Sequence, residues 1–125
     1  MRYEISEDGT LDTRTNLVWV DTKQILTHSD ALARAEQEAR ETGQAWRVPE
    51  LDEVLTLIDW TRVSPASSFP GMESGTVWTA TLYRGTDDVW YVDTYSGVVG
   101  YTYPEESHYV LLVLDTKTKR SSVSP

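Results

Sequence analysis

The chain has 125 residues, of which 39% are hydrophobic and 25% charged, and this balance predicts one globular domain instead of a disordered segment. It contains no cysteine, which excludes disulfides, thiolate nucleophiles, iron–sulfur clusters and zinc fingers. The net charge is −9 and every acidic residue lies at or before Asp115, so the surface repels nucleic-acid phosphates and anionic lipid.

The first ten residues, MRYEISEDGT, contain no apolar run of the kind that a signal peptide requires. No stretch elsewhere reaches the roughly 18 apolar residues of a membrane-spanning helix. We therefore expect no cleaved signal, no membrane partner, and a cytoplasmic or virion-associated location.

Short strands are predicted on either side of two turns near the N-terminus, at Asp8-Gly9 and at Asn16. A helix is predicted over 27–43, because Thr27 or Ser29 can cap its start and Gly43 stands where a helix-terminating glycine belongs. Its small apolar residues recur at helical spacing and predict a seam that packs closely on a neighbour.

A second helix is predicted over 50–60. Its acidic first turn favours the positive end of the helix dipole, and Pro49 stands just before it. The apolar stripe of this helix consists of Leu51, Val54, Leu55 and Ile58.

The stretch 64–75 is rich in Ser, Pro and Gly and is predicted to be a surface loop. Four strands are predicted after it, over 76–82, 88–94, 98–103 and 108–115. Grouped helices followed by a meander of strands indicate an α+β fold. We predict a single domain over 1–115 and a polar tail over 116–125.

Several motifs recur in an order that is typical of one family. They are 9-GTLDTRTNLVW-19, 46-WRVPELDEVLTLID-59, 78-WTAT-81, 89-VWYVDTYSG-97 and 109-YVLLV-113. Together they resemble the Lcl C-terminal domain family of bacterial and phage proteins, although Asn16, Glu50 and Leu111-Leu112 depart from its pattern. The resemblance implies a C-type-lectin-like fold with two helices, antiparallel sheets, and paired N- and C-terminal strands.

The resemblance also implies which residues are structural. The tryptophans of the matching motifs are expected in the core: Trp19, Trp46, Trp78 and Trp90. Arg47 is expected to hold a carboxylate or loop carbonyls through its forked guanidinium.

The sequence favours a protein without catalytic residues, cofactor or metal site. Enzymes of this fold use paired cysteines or a histidine cluster, whereas this chain has only His28 and His108. No nucleophile motif or phosphate-binding glycine loop is present. The pairs Asp87-Asp88 and Glu105-Glu106 offer oxygen ligands for a hard cation, but two solvated acidic turns are the simpler interpretation.

Tyrosine, arginine and acidic side chains near the last strands are the candidate ligand-binding residues, because Tyr and Arg are typical interface anchors. This set consists of Tyr83, Arg84, Asp87, Asp88, Tyr91, Tyr101, Tyr103, Glu105 and Glu106. The leading hypothesis is a non-enzymatic recognition module for a protein or carbohydrate ligand, and a homo-oligomer is compatible with it. The alternative is a small acidic inhibitor, encoded by a phage or mobile element, that blocks a basic surface of a larger protein, for example one that binds nucleic acid.

Overall fold

The computed structural model describes residues 1–115, so the predicted tail over 116–125 lies outside the described residues. The described part contains seven strands and two helices, which form an α+β arrangement. In chain order they are β1 (Tyr3–Ser6), β2 (Gly9–Asp12), β3 (Leu17–Leu26), α1 (His28–Thr42), α2 (Leu51–Leu55), β4 (Thr76–Leu82), β5 (Val89–Asp93), β6 (Val98–Thr102) and β7 (His108–Asp115). Within residues 1–115, neither helix is long and apolar enough to cross a membrane.

The seven strands form one mixed sheet with the order β1-β2-β3-β7-β4-β5-β6. The prediction of separate antiparallel sheets is therefore wrong. A parallel bridge between Val77 and Tyr109 joins β4 to β7 and merges the two halves. Strand β7 can occupy this central position because its VLLVL run is apolar on both faces, as a strand covered on both sides requires.

The predicted pairing of the N- and C-terminal strands is also wrong for the first strand. Among the strands of residues 1–115, β1 pairs only with β2, and β7 pairs with β3 and β4. The cause is the pair of predicted turns, because Gly9 has φ 142° and Asn16 has φ 63°. These turns fold β1, β2 and β3 into a meander that leaves β1 at the edge.

A hydrophobic cluster covers each face of the sheet. On one face, Trp46 and Trp78 pack with α1 and with alternate residues of β7; on the other, Trp19 packs with α2 and the loop that follows it. All three tryptophans are buried, as predicted. Burial of large side chains on both faces supplies most of the favourable free energy of folding.

Helix α1 follows the predicted bounds closely. The Thr27 side chain accepts a hydrogen bond from the amide of Asp30, and Gly43 adopts the left-handed conformation and donates to the carbonyl of Ala39. The small residues Ala31 and Ala35 are buried against the sheet. Local capping chemistry therefore determines both ends of this helix.

Helix α2 is shorter than predicted and ends at Leu55 instead of Trp60. The hydroxyl of Thr56 donates to the carbonyl of Glu53, and the amide of Asp59 donates to Ala66 in the following loop. The amides of Leu57 and Ile58 continue with tighter bonds to the third residue before each, and the bond to Ala66 then ends the helical turn. Leu57 and Ile58 lie in the core.

Arg47 acts as the predicted structural fork. Its two terminal nitrogens each lie 2.7 Å from a carboxylate oxygen of Glu53, and the amide of Glu50 donates to the same carboxylate at 2.8 Å. Burial alone would raise the pKa of Glu53, but the hydrogen bonds from Arg47 and Glu50 hold it below its usual value.

Candidate functional site

Three aromatic side chains form a cluster at the β6 side of the sheet, which we call the aromatic platform: Tyr83, Trp90 and Tyr101. The rings of Tyr83 and Tyr101 are stacked, with centroids 3.9 Å apart and planes 10° apart. Trp90 meets both rings edge-on, at 5.5 Å from Tyr83 and 5.4 Å from Tyr101. Stacked and edge-on contacts are both favourable for aromatic rings, so the three side chains hold one another in place.

The backbone brings the platform together. Trp90 and Tyr101 are direct partners in the β5–β6 ladder and therefore lie on the same face. Tyr83 follows the end of β4 and opens a tight turn, in which its amide donates to the carbonyl of Asp88 at 2.9 Å. Arg84 and Gly85 have φ of 39° and 76° in this turn. The Arg84 guanidinium lies 5.9 Å from the centroid of the Tyr83 ring.

The prediction that Trp90 lies in the core is wrong. Trp90 is half-buried, whereas Val92 on the same face of β5 is fully buried among α2 and its following loop. The Trp90 ring contacts the rings of the two platform tyrosines. The family-like motif correctly locates the strand but does not indicate which of its residues the short α2 covers.

Tyr91 lies on the opposite face from Tyr101 and is separated from the platform. Its ring stacks on His108, with centroids 5.4 Å apart and planes 16° apart. A Cβ at Gly100 would lie 2.6 Å from the Tyr91 hydroxyl oxygen, so the tyrosine occupies the space that this glycine leaves. Tyr91 therefore packs against the β5–β6 pair on the face opposite to the platform.

His108 links several side chains at this end of the sheet. Its Nε2 lies 3.1 Å from Oε1 of Glu106, and its Nδ1 hydrogen-bonds with the hydroxyl of Thr76. Because a carboxylate only accepts, Nε2 donates to Glu106. Trp78 covers the ring edge-on at 4.6 Å.

The turn after β6 presents the remaining candidate residues. The hydroxyl of Thr102 donates to Glu106 at 2.6 Å, and this bond and the one from His108 lower the pKa of Glu106. Tyr103 and Glu105 are exposed. The acidic pair Asp87-Asp88 lies at the same end of the sheet, because Asp88 precedes Val89, the partner of Thr102.

Two exposed residues escaped the sequence-based prediction. Trp60 is 70% exposed, and a Cβ at Gly97 would lie 2.7 Å from its ring, so it packs beside the β5–β6 turn. Val99 is 39% exposed and pairs with Val92. The sequence did contain a sign that Trp60 is exposed, because this residue lies outside the apolar stripe of the predicted second helix.

The comparison with protein families gives a match over nearly the whole chain. The model of the Lcl C-terminal domain matches residues 8–114. This chain belongs to the Lcl C-terminal domain family. The resemblance seen in the sequence motifs is thereby confirmed. No curated protein matches the chain.

Within this Lcl C-terminal domain, the sequence over 85–115, which follows Arg84, carries charge of one sign only. Residues 85–115 contain no lysine or arginine. Their acidic residues are Asp87, Asp88, Asp93, Glu105, Glu106 and Asp115. Two acidic turns thus border the platform end of β6, and Arg84 is the nearest cation in the sequence before them. Within residues 1–115, no three His, Asp or Glu side chains lie together so as to hold a metal ion.

Proposed function

We propose that this Lcl C-terminal domain is a non-enzymatic recognition module that binds a protein or glycan ligand through the aromatic platform and the two acidic turns. The observation that carries the proposal is the aromatic platform itself. Tyr101 remains 47% exposed although it is stacked on Tyr83 and paired with Trp90. A rigid, half-exposed aromatic surface offers large contact area at a low cost in side-chain entropy.

The ring positions define what a ligand would contact. One face of the Tyr101 ring is stacked on Tyr83 and Trp90 meets it edge-on, and the residue remains 47% exposed, so a ligand can pack on the part of the ring that these two side chains leave uncovered. Either a sugar ring or a protein side chain can pack on such a ring, while the acidic turns accept hydrogen bonds from hydroxyls or cations.

The proposal is tested by binding to a glycan array and to host-cell proteins, at low and high salt, with wild type and with Tyr101→Ala. A matched control is Tyr95→Ala, since Tyr95 is similarly exposed but lies in the β5–β6 turn and outside the platform. Loss of binding in Tyr101→Ala and not in Tyr95→Ala supports the platform. Equal binding by both variants contradicts it.

A second candidate function is a small acidic inhibitor that blocks a basic surface of a larger protein. The absence of Lys and Arg from residues 85–115 favours it, because this surface attracts a basic partner over a distance set by ionic strength. Binding of a protein that is lost at high salt and in Asp87→Lys/Glu105→Lys would support the inhibitor. Salt-insensitive binding that requires Tyr101 would support stacking recognition.

We also propose that the fold is C-type-lectin-like. The proposal is supported by membership of the family, by the α+β arrangement, and by the pairing of β3 with β7 near the two ends of the domain. An experimental structure would test it, since superposition on known C-type-lectin-like domains should align the β3–β7 pair and both helices. A different order of strands in those domains would contradict it.

A further inference from the structure

Strand β6 ends the sheet, and its outer side is apolar. Among the described strands it pairs with β5 alone. Val98 is 61% exposed on one face, and Val99 and Tyr101 are half-exposed on the other. An edge strand presents a row of backbone N–H and C=O groups with which another strand can pair.

The usual protection of an edge strand is absent from β6. Its sequence, VVGYT, contains no charged residue and no proline. The opposite edge, β1, has the sequence YEIS, with a charge inside the strand and further charges at Arg2 and Glu7 beside it. Proteins commonly place such charges on edges to prevent pairing with other chains.

We propose that β6 accepts an extended segment of a partner protein as an added strand, with lysine or arginine where that segment passes the two acidic turns. This inference rests on the proposed function and specifies its ligand as a basic, extended peptide. Alternate side chains of the segment would contact Val99 and Tyr101 on the platform face. Backbone pairing would supply affinity, and the side-chain contacts would supply specificity.

The charges around β6 favour this partner over a second copy of the chain. A second copy would bring its own residues 85–107, which contain acids and no lysine or arginine. Its pairing along β6 would therefore bring no lysine or arginine of this range to the acidic turns at Asp87, Asp88 and Glu105. A basic segment instead neutralises these turns, and complementary charge speeds association and excludes wrong partners.

The test uses the whole chain and a display library of random dodecapeptides. Selection is for binding to wild type and against binding to Val99→Lys, which places a charge on the β6 edge. The matched control is Ile5→Lys on β1, where Ile5 is 74% exposed. We expect enriched peptides to alternate apolar residues, to carry Lys or Arg at one end, and to bind Ile5→Lys as they bind wild type.

The selected peptide is then synthesised in two altered forms. Methylation of alternate backbone nitrogens removes the donors that pair with β6, and exchange of its basic residues for glutamate reverses its charge. Each change is expected to weaken binding at least about tenfold. Amide shifts in a titration of labelled protein should centre on Val98–Thr102. Equal binding by the methylated peptide, or shifts confined to other strands, would overturn strand addition.

Failure of this inference is distinguishable from failure of the proposed function. If no peptide is enriched but a glycan or protein binds and requires Tyr101, recognition by the platform stands and strand addition is wrong. If no peptide, glycan or protein shows binding that depends on Tyr101, then platform recognition and strand addition are both wrong. Circular dichroism of Val99→Lys establishes that its loss of binding is not a loss of fold.

Discussion

The two edges of the sheet are held in different ways. At the β1 edge, Arg2 donates two hydrogen bonds of 2.9 Å to Asp12, whose side chain is fully buried, and a third of 2.6 Å to the carbonyl of Thr56. At the β6 edge, Tyr101 is stacked on Tyr83 and meets Trp90 edge-on across the β5–β6 pair, and no ion pair joins these two described strands. A charged edge tied to the core resists further pairing, whereas a neutral aromatic edge remains available for it.

The largest expected effect is at the β1 edge. Replacement of Asp12 by Ala removes the acceptor of the Arg14 amide and of two of the three hydrogen bonds that the Arg2 guanidinium donates. Because Asp12 is buried while Arg2 is partly exposed and keeps its bond to Thr56, we expect the lost charged hydrogen bonds to reduce the free energy of unfolding by about 2–3 kcal/mol. Urea unfolding measures it, and Glu4→Ala on the exposed side of β1 is the control. A loss as small as that of the control would show that the pair does not secure this edge.

The same pair should make stability depend on pH. Burial alone would raise the pKa of Asp12, but hydrogen bonds from Arg2 and Arg14 lower it. The pKa of Glu53 is lowered in a similar way by its hydrogen bonds from Arg47. A carboxyl whose folded pKa lies below its unfolded value of about 4 stabilises the protein above that value and loses this contribution as the pH falls through the folded pKa.

Burial lowers the pKa of His28, so a first loss of stability is expected as the pH falls below about 6.5, the ordinary pKa of histidine. The carboxylates add a second fall in the free energy of unfolding below about pH 4. Urea unfolding at a series of pH values measures the slope. Asp12→Asn should reduce this slope, because it removes one of the titrating groups. An unchanged slope in this variant would mean that Asp12 does not carry the effect.

A smaller effect is expected where β6 is held to β5. A Cβ at Gly100 would overlap the Tyr91 hydroxyl, so Gly100→Ala must displace this ring from His108. Overpacking of this kind costs about 1–2 kcal/mol. Thermal or urea unfolding checks it, and the Tyr91→Ala background provides the control, since there the added methyl should cost much less. Equal costs in both backgrounds would show that the ring and the glycine are not coupled.

Local chemistry in the sequence predicts the parts of this fold that depend on neighbouring residues in the chain. The turn at Gly9, the two caps of α1 and the strand positions followed from such signals. The parallel bridge of β4 to β7 and the early end of α2 did not, because both depend on contacts between distant segments.

In the candidate site, too, some features were predictable from the sequence and others depend on contacts between distant segments. Tyr83, Arg84 and Tyr101 come together as predicted residues of one surface. Tyr91 lies on the other face and Trp90 lies in the platform instead of the core, because exposure at an edge depends on where the covering helix ends. Alternation along β5 could separate Tyr91 from Trp90, but only the fold identifies which face bears the platform.

The smallest effect on stability is expected at the platform. The contrast in stability cost between the β6 edge and the β1 edge should therefore be largest here. Tyr101→Ala removes the stack on Tyr83 and the edge contact with Trp90, but the ring is half-exposed, so we expect a cost of only about 1 kcal/mol. Urea unfolding and ligand binding are measured on the same sample, with Tyr95→Ala as control. Because the ring contributes little to the core, a near-native stability combined with lost binding would separate recognition from folding at the β6 edge. A loss comparable to that of Asp12→Ala would instead place Tyr101 among the residues that hold the sheet together.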